Sequence, residues 1–148
     1  MRLLIQRASR ATVSVDGRVV SSIGSGLVIL VGVGQGDGPR QVEPLADKVV
    51  GLRIFRDDAG KTNLSIGDVG GEALVISQFT LYADTSKGRR PSFVRAAEPG
   101  VAEDLVEAFA RAVEARGVRV GRGEFGAEME VELVNDGPFT MWLEAAGT

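Results

Sequence analysis

The chain has 148 residues, the size of one ordinary domain and enough to bury a sizeable core. Lys and Arg total 17 against 20 Asp and Glu, a formal net charge of -3, so any polyanionic partner must be met by a local patch rather than by the global field. The absence of Cys and His excludes disulfides, thiolate nucleophiles, Cys-ligated metal sites and a Ser-His-Asp triad, leaving proton handling to carboxylates, Lys, hydroxyls, backbone dipoles, water or the substrate.

Apolar residues at 44% and charged residues at 25% are ordinary for a folded globular chain. No apolar run approaches the roughly 18 to 20 residues that a membrane-spanning helix needs. Gln6, Arg7 and Arg10 interrupt the N-terminal run before a signal-peptide core can form, so a cytoplasmic protein with no membrane partner is expected.

In chain order, "RLLIQRASRATVSVDGRVVSSIG" alternates around Asp16-Gly17 and predicts two antiparallel strands, 2–15 and 18–23, the first long enough to bend. "GLVILVGVG", 26–34, is a continuous apolar run expected of a central strand covered on both faces. The glycines at 32, 34, 36 and 38 do not match a dinucleotide or phosphate-loop spacing, so nucleotide binding is not expected there. Val42, Leu45, Ala46, Val49 and Val50 fall at helical spacing and predict a short helix from Gln41 to about Leu52, with Pro44 tolerated only near its start. "RIFRDDAGKTNLSI" predicts an edge strand and a turn at Asp57 to Gly60, with Asp57 and Asp58 as turn residues rather than metal ligands. "EALVISQF", about 72–79, predicts another apolar strand. The stretch from Pro99 to Gly117 predicts the clearest helix, with Val101, Leu105, Val106, Phe109, Ala110 and Val113 in one stripe. "VRVGRG", "AEMEVELV" and "FTMWLEA" predict three closing strands with turns between them. The expected fold is an α/β single domain over residues 1–148: a three-layer mixed β-sheet of order ββ(βα)(βα)βββ with two helices packed on one face.

Three stretches could carry chemistry. Ser77, Gln78, Phe79 and Thr80 close a central strand, where open α/β sheets bind ligands, and alternation would send Ser77 and Phe79 to one face and Gln78 and Thr80 to the other. The alternative is a strand terminus whose hydroxyls bond nearby backbone. Lys87, Arg89 and Arg90 concentrate positive charge in one loop, either a solvated surface or a phosphate clamp that Arg7, Arg10, Arg119 and Arg122 could extend. "VNDGPFT" interrupts a strand with four turn formers. It reads as an ordinary turn, or as a cis Gly137-Pro138 turn whose neighbouring carbonyls could hold an ammonium group.

"SQFTLYADTSKGRRPSF", "NDGPFT", "FGAEMEVELVNDGP" and "LRIFRDDAGKTNLS" together closely resemble the D-aminoacyl-tRNA deacylases, over essentially the whole chain. The resemblance implies a homodimer with two interface sites, each pairing Ser77 to Thr80 of one subunit with Gly137 and Pro138 of the other. It implies aminoacyl-tRNA as substrate, no cofactor and no metal. The Phe79 and Thr80 amides would stabilise the oxyanion, and either the Thr80 hydroxyl or the 2'-hydroxyl of the terminal adenosine would assist. The Gly137 and Pro138 carbonyls would fix the α-amino group and exclude an L side chain while admitting D-amino acids and glycine, the latter mischarged on alanine tRNA. Phe125 and Met129 would line the pocket near the adenosine, and Lys87, Arg89 and Arg90 would meet tRNA phosphates. One position departs from the pattern of many members: Phe139 stands where they carry Val, and a ring facing the pocket would narrow the range of side chains accepted. Two other readings stay open on the residues alone, a Ser- or Thr-dependent small-molecule esterase and a non-catalytic dimeric RNA-binding module.

Overall fold

A computed structural model describes residues 1–147. The strands are β1 (Arg2–Val15), β2 (Arg18–Ile23), β3 (Gly26–Gly32), β4 (Phe55–Arg56), β5 (Thr62–Leu64), β6 (Glu72–Ser77), β7 (Arg119–Arg122) and β8 (Glu130–Glu144), and the helices are α1 (Pro39–Gly51) and α2 (Pro99–Glu114). The main sheet runs β2-β1-β3-β6-β7, with β8 paired to β1. β3 is antiparallel to β1 and parallel to β6, and β6 is parallel to β7, so the α1 and α2 crossovers account for the parallel half.

Both helices lie on one face, as expected. Leu45, Ala46 and Val49 of α1 and Leu105, Phe109 and Val113 of α2 share a core with Leu3, Ile5, Leu27, Ile29 and Val75. The opposite face holds a second core of Ala8, Ala11, Val13, Ile23, Val28, Leu74 and Ile76, to which no helix contributes. Here the far half of β1 carries β2 back across the sheet, and a Cβ on Gly121 of β7 would come within 2.3 Å of the Ser21 hydroxyl on β2. One strand serves both cores because its alternation slips. Leu3, Ile5 and Arg7 point into the first, then Ala8 is buried beside Arg7, and Ala11 and Val13 point into the second.

Several expectations are corrected. The central strand ends at Gly32 rather than Gly34, and α1 starts at Pro39, whose fixed φ suits a first helical turn, so Pro44 lies inside the helix. Val101 is exposed, outside the buried stripe of α2. β4 and β5 pair only with each other, so no edge strand joins the main sheet there. The last two expected strands are one. β8 pairs with β1 on both sides of the Asn135–Thr140 stretch: Ala8 faces Asn135 and Gln6 faces Thr140, so one residue of β1, Arg7, lies opposite four of β8. "NDGP" therefore forms a wide bulge in a continuing strand, not a reversal of the chain.

Candidate active site

The parallel ladder between β3 and β6 stops at the Val31–Ser77 pair, although the Gln78 amide still donates to the Val31 carbonyl at 2.8 Å. Phe79–Tyr82 then form a single 3-10 turn, with Leu81 N–H donating to Gln78 O and Ala83 N–H to Thr80 O. The alternating-face expectation for residues 77–80 thus fails at Phe79. As the first two residues of the turn, Phe79 and Thr80 have no carbonyl within it to receive their amides. The Gln78 carboxamide donates to the Thr80 hydroxyl, fixing both side chains relative to the turn.

An open cleft of about 850 Å³ begins at this strand end. Ser77, Gln78 and Phe79 line it with Phe125 and Met129 from the loop that leads into β8, so five of the expected site residues converge within one chain. Phe93 and Val94, which sequence reasoning missed, close the other wall, and the Phe93 ring meets Phe79 edge to face at 5.0 Å. Phe79 remains 53% exposed, a cost that a bound apolar or aromatic group would relieve. Met129 also packs on the second core and accepts the Glu124 amide through its sulfur, while Phe125 packs on the first.

Charge is arranged around the cleft rather than inside it. The loop that ends in Phe93 and Val94 is closed at its base by paired amide bonds between Asp84 and Ser92, and it carries Lys87, Arg89 and Arg90 exposed to solvent. Hydrogen bonds from Ser86 hold the Asp84 carboxyl below its usual range, so it stays ionised at the loop base. Of the four arginines that could extend this patch, three pair with carboxylates and one is buried. Arg119 pairs with Glu72, Arg122 with Glu107 and Glu114, Arg10 with Glu132, and Arg7 is buried. Tyr82 offers no base either, because burial first and Asp37 second push its hydroxyl well above the ordinary value of 10.

Gly137 and Pro138 do not line the cleft. β3 and β1 separate β8 from β6, which places the bulge roughly 14 Å sideways from the Ser77 strand end, three strand spacings away. The Gly137-Pro138 peptide bond is cis. Gly137 has φ +140°, a conformation open to glycine almost alone, and a Cβ there would lie 2.9 Å from the Phe139 amide and 3.2 Å from Arg7 Nη2. Asn135 closes the bulge from above: its Oδ1 accepts the Phe139 amide at 2.9 Å and its Nδ2 donates to the Thr140 hydroxyl at 3.0 Å. Arg7 fills it from below, with its guanidinium 4.6 Å from the Phe139 ring, so that ring packs toward the first core.

The D-Tyr-tRNA(Tyr) deacylase family model matches residues 4–144. A protein of Thermomicrobium roseum called D-aminoacyl-tRNA deacylase is 60% identical over 99% of this chain and 95% of its own length. A protein of the same name from Roseiflexus castenholzii is 59% identical over 99% and 93%. Among solved structures, the c-Myc DNA unwinding element binding protein superposes with a TM-score of 0.92 at 36% identity over 99% of both chains. A probable eukaryotic D-amino acid tRNA deacylase shares the fold at a TM-score of 0.82 and 18% identity, over 96% of this chain and 97% of the other. Matched by the family model over residues 4–144 and about 60% identical to these relatives over nearly its whole length, the chain belongs to the D-Tyr-tRNA(Tyr) deacylase family.

Proposed function

We propose that this protein hydrolyses the ester of D-aminoacyl-tRNA, releasing the free D-amino acid and tRNA, and that it works as a homodimer in the cytoplasm on a single-domain protomer. The observation that carries the reading is family membership over residues 4–144 in a chain whose Ser77–Phe79 strand end opens on an aromatic-walled cleft. Water attacks the ester carbonyl carbon, the Phe79 and Thr80 amides receive the developing oxyanion, and the C–O bond to the ribose breaks as the departing oxygen takes up a proton. An aminoacyl ester is more reactive than an amide, which is compatible with a site that has no histidine.

Chiral choice is assigned to Gly137 and Pro138 of the second subunit. Within one protomer they stand about three strand spacings from the Ser77 strand end, so their participation requires a second copy that brings its bulge to the first copy's Phe79 turn. Their carbonyls accept the substrate α-ammonium and leave no room on the L side, while a D side chain or the hydrogen of glycine is accommodated, so glycyl-tRNA(Ala) is also a substrate. Phe125 and Met129 face the terminal adenosine, and Lys87, Arg89 and Arg90 meet the phosphates next to it.

The test is ester loss from D-tyrosyl-, L-tyrosyl- and glycyl-tRNA. Loss of the D and glycyl esters with sparing of the L ester is expected, and equal loss of D and L would remove the chirality assignment. Tight binding of uncharged and charged tRNA alike without ester loss would instead support an RNA-binding module.

A further inference from the structure

The Phe79–Tyr82 turn projects beyond the end of β6, and the side chain that pins it comes from the start of β1. Arg2 Nη1 donates to the Leu81 carbonyl at 2.8 Å, and Nε donates to Glu144 at 3.0 Å. The same guanidinium lies 4.2 Å over the Tyr82 ring and 5.7 Å from the Trp142 ring. Tyr82 is itself buried, and its hydroxyl donates to Asp37 at 3.2 Å. Below the turn are Gly32, the last residue of β3, and Gly34 just beyond it. A Cβ at Gly32 would come within 2.9 Å of Leu81 Cβ and 3.2 Å of the Gln78 carbonyl, and one at Gly34 within 2.4 Å of the Tyr82 ring. The glycines are the bed on which the turn lies, and Arg2 holds it down from the other side.

We propose that Arg2 is a positioning residue of the hydrolytic site: by clamping Leu81 and Tyr82 it fixes the direction of the Phe79 and Thr80 amides before substrate arrives. This rests on the reading that those amides receive the oxyanion. Such donors help only if they are already aimed at the transition state, so a loosened turn lowers kcat while substrate affinity, set by the cleft walls and the basic loop, is nearly unchanged. Arginine suits the role because a planar guanidinium stacks on Tyr82 through its face while donating in its plane to Leu81 and Glu144, which a lysine ammonium cannot do at once.

The test compares the full-length protein with Arg2→Ala and Arg2→Lys, measuring D-tyrosyl-tRNA hydrolysis, amide exchange, and the emission of Trp142, the only tryptophan. Arg2→Ala is expected to lower kcat about tenfold with KM within about twofold. Exchange of the Leu81 and Ala83 amides should rise at least about tenfold while that of the α2 core is unchanged. Trp142 emission should shift as its cation leaves. Arg2→Lys should lose about threefold or more in kcat, and it decides the matter if the alanine variant does not fold. Unchanged kcat, or a loss confined to KM, would overturn the proposal. If the wild-type protein itself leaves the ester intact, the functional reading fails first, and unchanged exchange at Leu81 and Ala83 would then overturn the clamp independently.

Discussion

Arg7 lies beneath Asp136, its Nε 3.1 Å from the Asp136 carbonyl and 3.4 Å from the carboxylate, while its Nη1 donates to the Ile54 carbonyl at 2.6 Å. At 4% exposure this is the one buried cation among the described side chains, and it is spent on holding the bulge that carries Gly137 and Pro138. Asp136 has a second partner, Arg56 at 3.1 Å, so removal of Arg7 would not leave its carboxylate unpaired.

Replacing Arg7 with Met keeps the stem but leaves two carbonyls without this donor, and should cost about 1 to 3 kcal/mol in urea unfolding. The ratio of D- to L-tyrosyl-tRNA hydrolysis should fall by more than the D rate does, because the bulge loses its support while the Phe79 turn keeps its own. An unchanged ratio would separate Arg7 from chiral choice.

Gly137→Ala places a Cβ 2.9 Å from the Phe139 amide at a φ of +140°. The strain is about 1 to 3 kcal/mol and should appear as a lower denaturation midpoint. D-tyrosyl-tRNA hydrolysis should fall with it, whereas binding of uncharged tRNA, assigned to the exposed loop cations, should hold within about twofold.

Phe79→Pro tests the oxyanion assignment. Gln78 has φ -143° and ψ 82°, outside the α region that a following proline disfavours, and the first position of a 3-10 turn accepts the proline φ. The variant therefore deletes one amide donor with little change in backbone path. Relative to Phe79→Ala, which removes the ring alone, it should lower kcat by about a hundredfold or more. Equal rates for the two variants would take the Phe79 amide out of the mechanism.

Acid sensitivity should be traceable to Arg122. Its guanidinium, bonded to Glu107 at 2.9 Å and Glu114 at 2.8 Å, holds both carboxyls below their ordinary value of 4.5. A depressed folded pKa stabilises the fold fully above 4.5, and that contribution is lost as pH falls below 4.5 through the folded values. Both carboxylates are partly exposed, so the effect is no more than about 1 kcal/mol. Arg122→Met should be less stable than wild type at neutral pH, and the gap should narrow as pH falls below 4.5, by urea midpoint.

The strands and helices were legible wherever burial imposed a period. β1 and β2 have the bounds their sequences predict, and the stripe of Leu105, Phe109 and Val113 is the core face of α2. The bulge was not, because turn formers look alike whether a chain reverses or a strand swells. Only the partner strand distinguishes them, and here β1 continues past Arg7 to pair with both flanks. Arg7 cannot extend the basic loop because it is buried, and its position held that signal: it follows Leu3 and Ile5 at period two, on the inward face. The Ser77–Phe79, Phe125 and Met129 cluster was legible through its motifs. Phe93 and Val94 were not, since nothing in a loop sequence says which cleft its tail will wall.

If each site is built from two chains, mixing two crippled variants should restore activity. Phe79→Pro and Gly137→Ala are unfolded together, refolded, and assayed on D-tyrosyl-tRNA against each variant alone. Random pairing makes half the dimers mixed, and each mixed dimer has one site with both groups intact, so activity should recover to about a quarter of wild type. Activity no higher than the average of the two separate variants would show that one chain carries its own complete site, and would contradict the account.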